Sequence, residues 1–446
     1  MTQLKLDAIW KALPALDELQ PVLGFLLQTS NADPSLTWAG SGELRTVGER
    51  LVDGGDLASG LERIASEEAQ HLAAIYQIVG DAIVALGNGD RTGAGRKFLE
   101  AASMEEGRDR PDRAAAYAEA AHGVFAAAGD ERLISLSMRR WARAKRALGS
   151  LDEASDRYQR AYSQALEASD DRGAAEAAIG AGNVFEEQGR FSEAADWYQK
   201  ALDALAESNG DGPEQWQALL NLHIVTRSGG DLDGSLPWLE RAQTAAAKLG
   251  DESADPFIFN AWGQLRMGSG RFEEAERELR NALAASDPSW EATTFRLNLA
   301  EALLAQGRTL EAAEEAREAE REAIRSGTVR KLPEAYRILG RIAAAEDNPD
   351  AFVLFERALE VIRQSRLPSL EEALTLQAYA ESESRKGEAG TAAELLEEAK
   401  KRFRALGIKE LRHPWMEYFG PKLEKLEKRV LPEREPTEIK HESDTK

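Results

Sequence analysis

The 446-residue chain has no cysteine and only five histidines. The lack of cysteine excludes disulfides, zinc–thiolate sites and cysteine nucleophiles, and it fits a reducing compartment. A serine-centred glycine elbow, which would carry a nucleophile, is also missing. Nucleophilic catalysis therefore has no support, and we predict a protein that is not an enzyme and uses no cofactor.

Long apolar runs are equally scarce. The longest one near the start, Pro21–Leu27, is far too short to cross about 30 Å of lipid. The first residues lack a basic region followed by an apolar core, so we expect no signal peptide. We expect a cytoplasmic protein with no membrane association.

Positive charge is in deficit. Lys and Arg total 56 against 78 Asp and Glu, which gives a net charge of −22. This balance argues against nucleic-acid binding, which requires a basic stripe facing phosphate. Solubility of a long exposed surface accounts for the excess, and a basic partner attracted by the field is the alternative.

A glycine followed five residues later by an alanine recurs about every forty residues. Clear copies are Gly149–Ala154, Gly189–Ala194, Gly270–Ala275 and Gly307–Ala312, and looser copies begin at Gly89, Gly230 and Gly387. Steps between equivalent positions from Ala154 to Ala392 are 40, 41, 40, 37, 39 and 41 residues. A fixed period of this length is the signature of a solenoid.

The unit spanning residues 173–207 shows how each copy works. Small residues such as Gly182 lie at helical spacing on one face of a first helix, and Gly189 supplies the left-handed C-cap that ends it. A second helix then carries Ala194, Tyr198 and Ala201 on one stripe. The small residues allow the two backbones to approach closely, and the large ones fill the remaining space.

This alternation resembles the tetratricopeptide repeat, a helix–turn–helix unit, over roughly residues 70 to 405. The steps are longer than the usual repeat of about 34 residues, as in kinesin light chains, cell-polarity adaptors and bacterial signalling proteins. The extra residues should lengthen the helices by about one turn. The resemblance implies an all-α, right-handed superhelical α-solenoid of about eight hairpins.

The predicted organisation has five parts. They are an N-terminal helical cap (1–69), irregular repeats (70–150), a regular solenoid (151–406), a C-terminal capping helix (407–430) and a disordered tail (431–446). If first and second helices simply alternate, the assignment that starts from the turn at Gly89 is the reverse of the one that starts from the turn at Gly149. We therefore expect a break or an unpaired helix between Gly107 and Leu136.

The resemblance implies a partner groove lined by first helices, in which residues six and nine before the turn glycine point inward. Polar residues at or near these positions are Asn183, Asn221, Arg227, Asn260, Gln264, Asn298 and Glu301. Asparagine is a poor mid-helix residue, yet its amide can pair with both groups of a peptide backbone. Two interpretations stay open: contacts to a partner peptide, or exposed polar residues without a partner.

Arg337 and Arg341 stand one turn apart on a first helix and could meet an acidic side chain of the partner. A solvated face is the favoured interpretation of this pair. Chaperone-type members of the family grip a terminal carboxylate with basic residues. The corresponding residues Ile179, Phe257 and Ala261 are apolar, so such a clamp is not expected.

Other motifs carry less weight. The Glu-x-x-His pairs at His71 and His122 have the spacing of di-iron helices, but glutamate is so frequent that ordinary solvated residues are favoured. The glycine-rich run Gly87–Lys97 lacks the residue order of a phosphate loop, and His223 is expected to be packed. Three tryptophans near repeat junctions would mark a docking patch if exposed: Trp216, Trp238 and Trp290.

We therefore predict a scaffold or adaptor that holds a segment of a partner protein in the groove. The alternative is a regulatory or sensor subunit that controls an effector, such as a protease of a bacterial signalling or defence system. An enzyme with a metal in the N-terminal bundle is the third and least supported option. The sequence does not predict the oligomeric state.

Overall fold

The computed structural model of the chain describes residues 67–108, 110–207, 212–229, 231–286, 290–326, 331–365 and 370–405. These residues form seventeen α-helices and one short 3-10 helix, Glu252–Ala254, with no strand among them. The all-α fold class predicted from the sequence is confirmed. The capping helix 407–430, the tail 431–446 and nearly all of the N-terminal cap 1–69 lie outside the described residues.

The helices follow one another with short connections. Their bounds are α1 Glu67–Gly87, α2 Arg91–Glu106, α3 Pro111–Ala128, α4 Glu131–Ala147, α5 Leu151–Glu167, α6 Asp171–Glu187, α7 Phe191–Glu207, α8 Pro213–Ser228, α9 Leu232–Leu249, α10 Asp255–Gly268, α11 Phe272–Ala285, α12 Trp290–Ala305, α13 Thr309–Ser326, α14 Leu332–Ala345, α15 Asp350–Ser365, α16 Leu370–Lys386 and α17 Ala389–Ala405. In the part of the chain that is described, no helix is both long and apolar enough to cross a membrane.

The chain divides into two compact units. The first comprises the residues up to Val225 together with Pro237–Glu252, and the second comprises Thr226–Leu236 and the residues from Ser253 onward. Within each unit, consecutive helices pack as antiparallel neighbours, for example α4 on α5 and α14 on α15. Each unit is thus a stack of helical hairpins, as expected for an α-solenoid.

Helix α3 occupies the segment in which we expected a break or an unpaired helix. It packs against both α2 and α4, and its Tyr117 and Phe125 side chains are fully buried. The stack therefore continues without a break. Five helices lie between Glu67 and Glu167, one more than two hairpins require.

In the hairpin turns that the structure describes, one residue adopts the left-handed conformation. After α6, Gly189 has φ 72°, its N–H donates to the Glu186 carbonyl at 2.8 Å, and the Arg190 N–H donates to the Phe185 carbonyl at 2.8 Å. These two bonds form a Schellman motif. Asp347, with φ 54°, takes the same role in the turn between α14 and α15, which lacks the glycine. Asp and Asn tolerate this conformation better than other side chains.

Small residues on the first helices admit large side chains from the second helices. A Cβ added to Gly182 would overlap the Tyr198 ring, and one added to Gly340 would lie 2.7 Å from Cε1 of Phe355. Tyr198 and Phe355 are completely buried. The interlocking of glycine and aromatic ring therefore fixes the spacing within these two hairpins, in the small-and-large pattern that the sequence predicted.

We predict that Gly182→Ala destabilises the protein by about 1–3 kcal/mol, because the added methyl group overfills the contact with Tyr198. The measurement is urea denaturation followed by circular dichroism. Gly123→Ala in α3 is the matched control, since an added Cβ there meets no atom within 4 Å. The control should stabilise the protein by up to about 1 kcal/mol. Equal effects of the two substitutions would contradict the interlock.

Candidate functional site: the inner surface of the first helices

The first helices of successive hairpins touch each other directly. This holds for α4 with α6 in the first unit and for α10, α12, α14 and α16 in the second. Helices that meet along a stack of hairpins lie on its shorter side, where solenoids present a binding surface. We call the side formed by α4, α6 and α8 in the first unit, and by α10, α12, α14 and α16 in the second, the inner surface of that unit.

In the first unit, two amides meet on this surface. The single proton of the Tyr198 hydroxyl has two acceptors within reach, Asn183 Oδ1 at 2.7 Å and Glu186 Oε2 at 2.8 Å, and Asn183 Oδ1 also accepts from Asn221 Nδ2 at 3.2 Å. Both asparagines are half-buried. Among the described residues, the Asn183 amide nitrogen and the Asn221 amide oxygen have no hydrogen-bond partner. The pair therefore presents one donor and one acceptor that remain available.

A second amide pair lies in the second unit. Asn298 Nδ2 donates to Asn260 Oδ1 at 2.7 Å, again between residues 38 positions apart. Asn298 is buried and Asn260 is half-buried. Close by in the chain, the buried Arg227 donates through Nη2 to Gln264 Oε1 at 2.7 Å. The residues predicted from their register are thus brought together in pairs across neighbouring repeats.

The charged residues of the second unit form a network rather than a row of separate charges. Arg337 Nη1 donates to Glu301 Oε1 at 2.6 Å, and Arg341 Nη1 donates to the same oxygen at 3.2 Å. Arg337 Nε donates to Glu371 on the next first helix. Arg337 and Glu301 are only 4% and 3% exposed. Burial alone would lower the pKa of Arg337, but Glu371 and Glu301 outweigh it and raise that pKa.

This network determines how far each of the two arginine side chains is accessible to a partner. Arg337 is enclosed between carboxylates of α12 and α16, so it holds three first helices together. Arg341 keeps more side-chain exposure, 14%. Glu301 and both arginines were identified from the sequence, but Glu371 was not. The position of a residue along α16 does not indicate whether the Arg337 side chain can reach it.

The metal candidates lie elsewhere and have other partners. His71 Nε2 is 3.2 Å from Glu105 Oε1 and both residues are buried. His122 faces α4, where its Nδ1 lies 3.4 Å from the Ser137 hydroxyl, and burial lowers its pKa. Glu119 points to solvent. No group of three or more possible metal ligands occurs in the part of the chain that is described.

The remaining predicted positions are apolar or packed. Ile179, Ala261 and His223 are buried, and Phe257 stacks edge-on against Phe295 at 5.9 Å between ring centroids. Trp216 is buried, and its Nε1 donates to Asp251 Oδ2 at 2.9 Å. It therefore contributes nothing to an exposed tryptophan patch.

The two other junction tryptophans add little to such a patch. Trp238 is half-buried against the core that α6, α7 and α8 share. The side chain of Trp290 is not among the described ones. Gly230, which the sequence predicts in the turn after α8, also lies outside the described residues.

The fold and the inner surface together define an α-solenoid of helical hairpins. Models of the tetratricopeptide repeat match residues 132–207 and 260–327. The chain thus contains tetratricopeptide repeats in these two segments, as its resemblance to that family suggested. No functionally curated protein matches the chain significantly.

Solved structures of similar fold include two Rap proteins. A Rap protein complexed with Competence and Sporulation Factor is 12% identical and has a TM-score of 0.52; the match covers 83% of this chain and 98% of that one. The Rap conjugation gene regulator of plasmid pLS20, in complex with the Phr* peptide, is 14% identical with a TM-score of 0.53. That match covers 81% of this chain and 98% of the other. At 12% and 14% sequence identity, this structural similarity is evidence about the fold alone.

We predict that Arg337→Met lowers the free energy of unfolding by about 3 kcal/mol, because Glu371 loses its cation and the buried Glu301 keeps only Arg341. Arg321→Met is the matched control: Arg321 is 60% exposed and pairs with Glu318 within α13. The control should cost less than about 1 kcal/mol. Urea denaturation of both variants tests this difference, and similar losses would show that the network is not a structural tie.

Proposed function

We propose that this chain is a scaffold or adaptor that binds an extended segment of a partner protein along its inner surface. The observation that carries the proposal is the pair Asn183 and Asn221. One asparagine offers an N–H donor and the other a carbonyl acceptor, both at half-buried positions on adjacent first helices. A peptide backbone in extended conformation carries the complementary groups.

The two Rap structures support a peptide or protein partner, since one of them holds the Phr* peptide and the other Competence and Sporulation Factor on a similar fold. The repeat family supports a role without catalysis. The net charge of −22 supports a partner segment with basic character. The lack of cysteine supports a reducing, cytoplasmic setting.

A regulatory role is the second candidate. One of the Rap proteins of similar fold is a conjugation gene regulator in complex with a peptide. In this version, occupation of the inner surface would change the affinity of the chain for an effector protein. Both versions place the peptide at the same residues, and they differ in whether a second protein responds to it.

Site-specific photocrosslinking tests the proposed surface. A photoreactive residue is placed at Ile224, which is half-buried one helical turn from Asn221 on α8, or at Gln199, which is exposed on the second helix α7, and the native cell extract is irradiated. We expect one dominant crosslinked partner at Ile224 and little of it at Gln199. Asn183→Ala should weaken capture of that partner about tenfold. Equal crosslinking at both positions, or capture unchanged by Asn183→Ala, would refute the groove assignment.

A further inference from the structure

Helix α4 is strongly basic, although the protein as a whole is acidic. It carries six basic residues and one acidic residue, Glu131, in a chain whose net charge is −22. Four of the six form ion pairs of 3.3 Å or shorter with neighbouring helices. Arg132, at the start of α4, donates to the Ser169 carbonyl at 3.5 Å. The sixth, Arg143, has a side chain that is 58% exposed, and its nearest carboxylate, that of Glu106, lies 4.0 Å away.

Arg143 lies where α4 meets α6, the next first helix. Arg139 Nη1 donates to the Gly173 carbonyl at 2.7 Å. Arg146 Nη1 donates to Glu187 Oε1 at 2.6 Å. Both bonds join α4 to α6. Arg143 follows the first donor by four residues and precedes the second by three, so it lies on the same stripe of α4. It therefore lies beside α6, on the inner surface of the first unit.

The same register carries an amide in the next repeat. Arg143 stands six residues before the turn glycine Gly149, and Asn183 stands six residues before Gly189. Asn183 belongs to the amide pair that carries the proposed function. Equivalent residues on adjacent packed helices are separated by an interaxial distance of about 8–10 Å. An extended segment covers that distance in about three residues, at about 3.3 Å each.

The positive charge at this place exceeds the negative charge of its partners. Glu106 Oε2 accepts from Arg140 Nη1 at 3.1 Å and is also the carboxylate nearest to Arg143, so one acidic group is shared by two guanidinium groups. Arg146 and Glu187 pair with each other. These five side chains together hold three positive charges and two negative ones. They form a local positive site on an acidic protein.

The excess charge discriminates among possible guests. A basic side chain over α4 would be repelled, and an apolar one would cover Arg143 without replacing its hydrogen bonds to water. A carboxylate can accept two parallel N–H bonds from a guanidinium, which makes this pairing stronger and more specific than one to a neutral acceptor. Arg143 can donate to such a group without breaking any short ion pair. The bonds that hold α4 to α2 and α6 would stay intact.

We propose that Arg143 binds an acidic side chain, aspartate or glutamate, of the partner segment. The inference rests on the proposed function and names one residue of that segment. The acidic residue lies about three positions from the residue whose backbone meets Asn183. The net charge of the chain still favours basic residues elsewhere in the segment. The acidic residue therefore determines which end of the segment lies over α4.

Phage display of random dodecapeptides, selected on the immobilised full-length protein, tests this preference. The peptides are fused to the coat protein at their C-termini, so only side chains supply a carboxylate. We expect enrichment of aspartate or glutamate at one position with the wild-type protein, and of lysine or arginine at that position with Arg143→Glu. Arg160→Glu on the second helix α5 is the matched control and should keep the acidic preference, because Arg160 is 70% exposed and pairs with Asp156 of its own helix.

A selected acidic peptide, synthesised with an amidated C-terminus, gives the size of the effect. Replacing its acidic residue with glutamine should weaken binding to the wild-type protein at least about tenfold, as expected for hydrogen bonds between charged groups. The same replacement should change binding to Arg143→Gln by less than about twofold, because the interacting partner is already removed. Fluorescence anisotropy measures each affinity, and thermal unfolding checks that each variant is folded.

The outcomes separate this inference from the proposed function. Peptides selected without an acidic preference, or an acidic preference that survives Arg143→Glu, would overturn the inference and leave the proposed function standing. Selection of no peptide at all would contradict both.

Discussion

The architecture depends on the close packing of two helices in a hairpin. A glycine on the first helix leaves space that a bulky side chain from the second helix fills. Gly182 with Tyr198 and Gly340 with Phe355 are the clearest cases. Interior packing is as dense as in organic crystals, so even one added methyl group forces movement. Each of these two hairpins is therefore held at one spacing.

The same closeness creates the polar pairs of the inner surface. Because successive first helices touch, residues one repeat apart fall within hydrogen-bond distance. Asn183 meets Asn221, and Asn260 meets Asn298, both 38 positions apart. Arg337 likewise joins Glu301 to Glu371. The repeat length thus sets both the core contacts and the polar pairs of the inner surface.

Much of the fold and part of the candidate site were predictable from the sequence. The recurring glycine and alanine located the hairpins and their turns, and counting back from each glycine found the asparagines of the inner surface. The ion pairs between neighbouring first helices were not predictable. The position of a residue along one helix does not indicate how far a long side chain such as that of Arg337 reaches. The hydrogen bond of Trp216 also depends on a partner, Asp251, that lies in the connection between α9 and α10.

The central claim is that stability is passed from each hairpin to its neighbours rather than through one common core. Amide hydrogen exchange of the Gly340→Ala variant, resolved by peptide mass spectrometry, tests this most directly. The account predicts faster exchange in α14 and α15, smaller increases in α12 and α16, and unchanged exchange in α4 and α5. A uniform increase along the whole chain would contradict it.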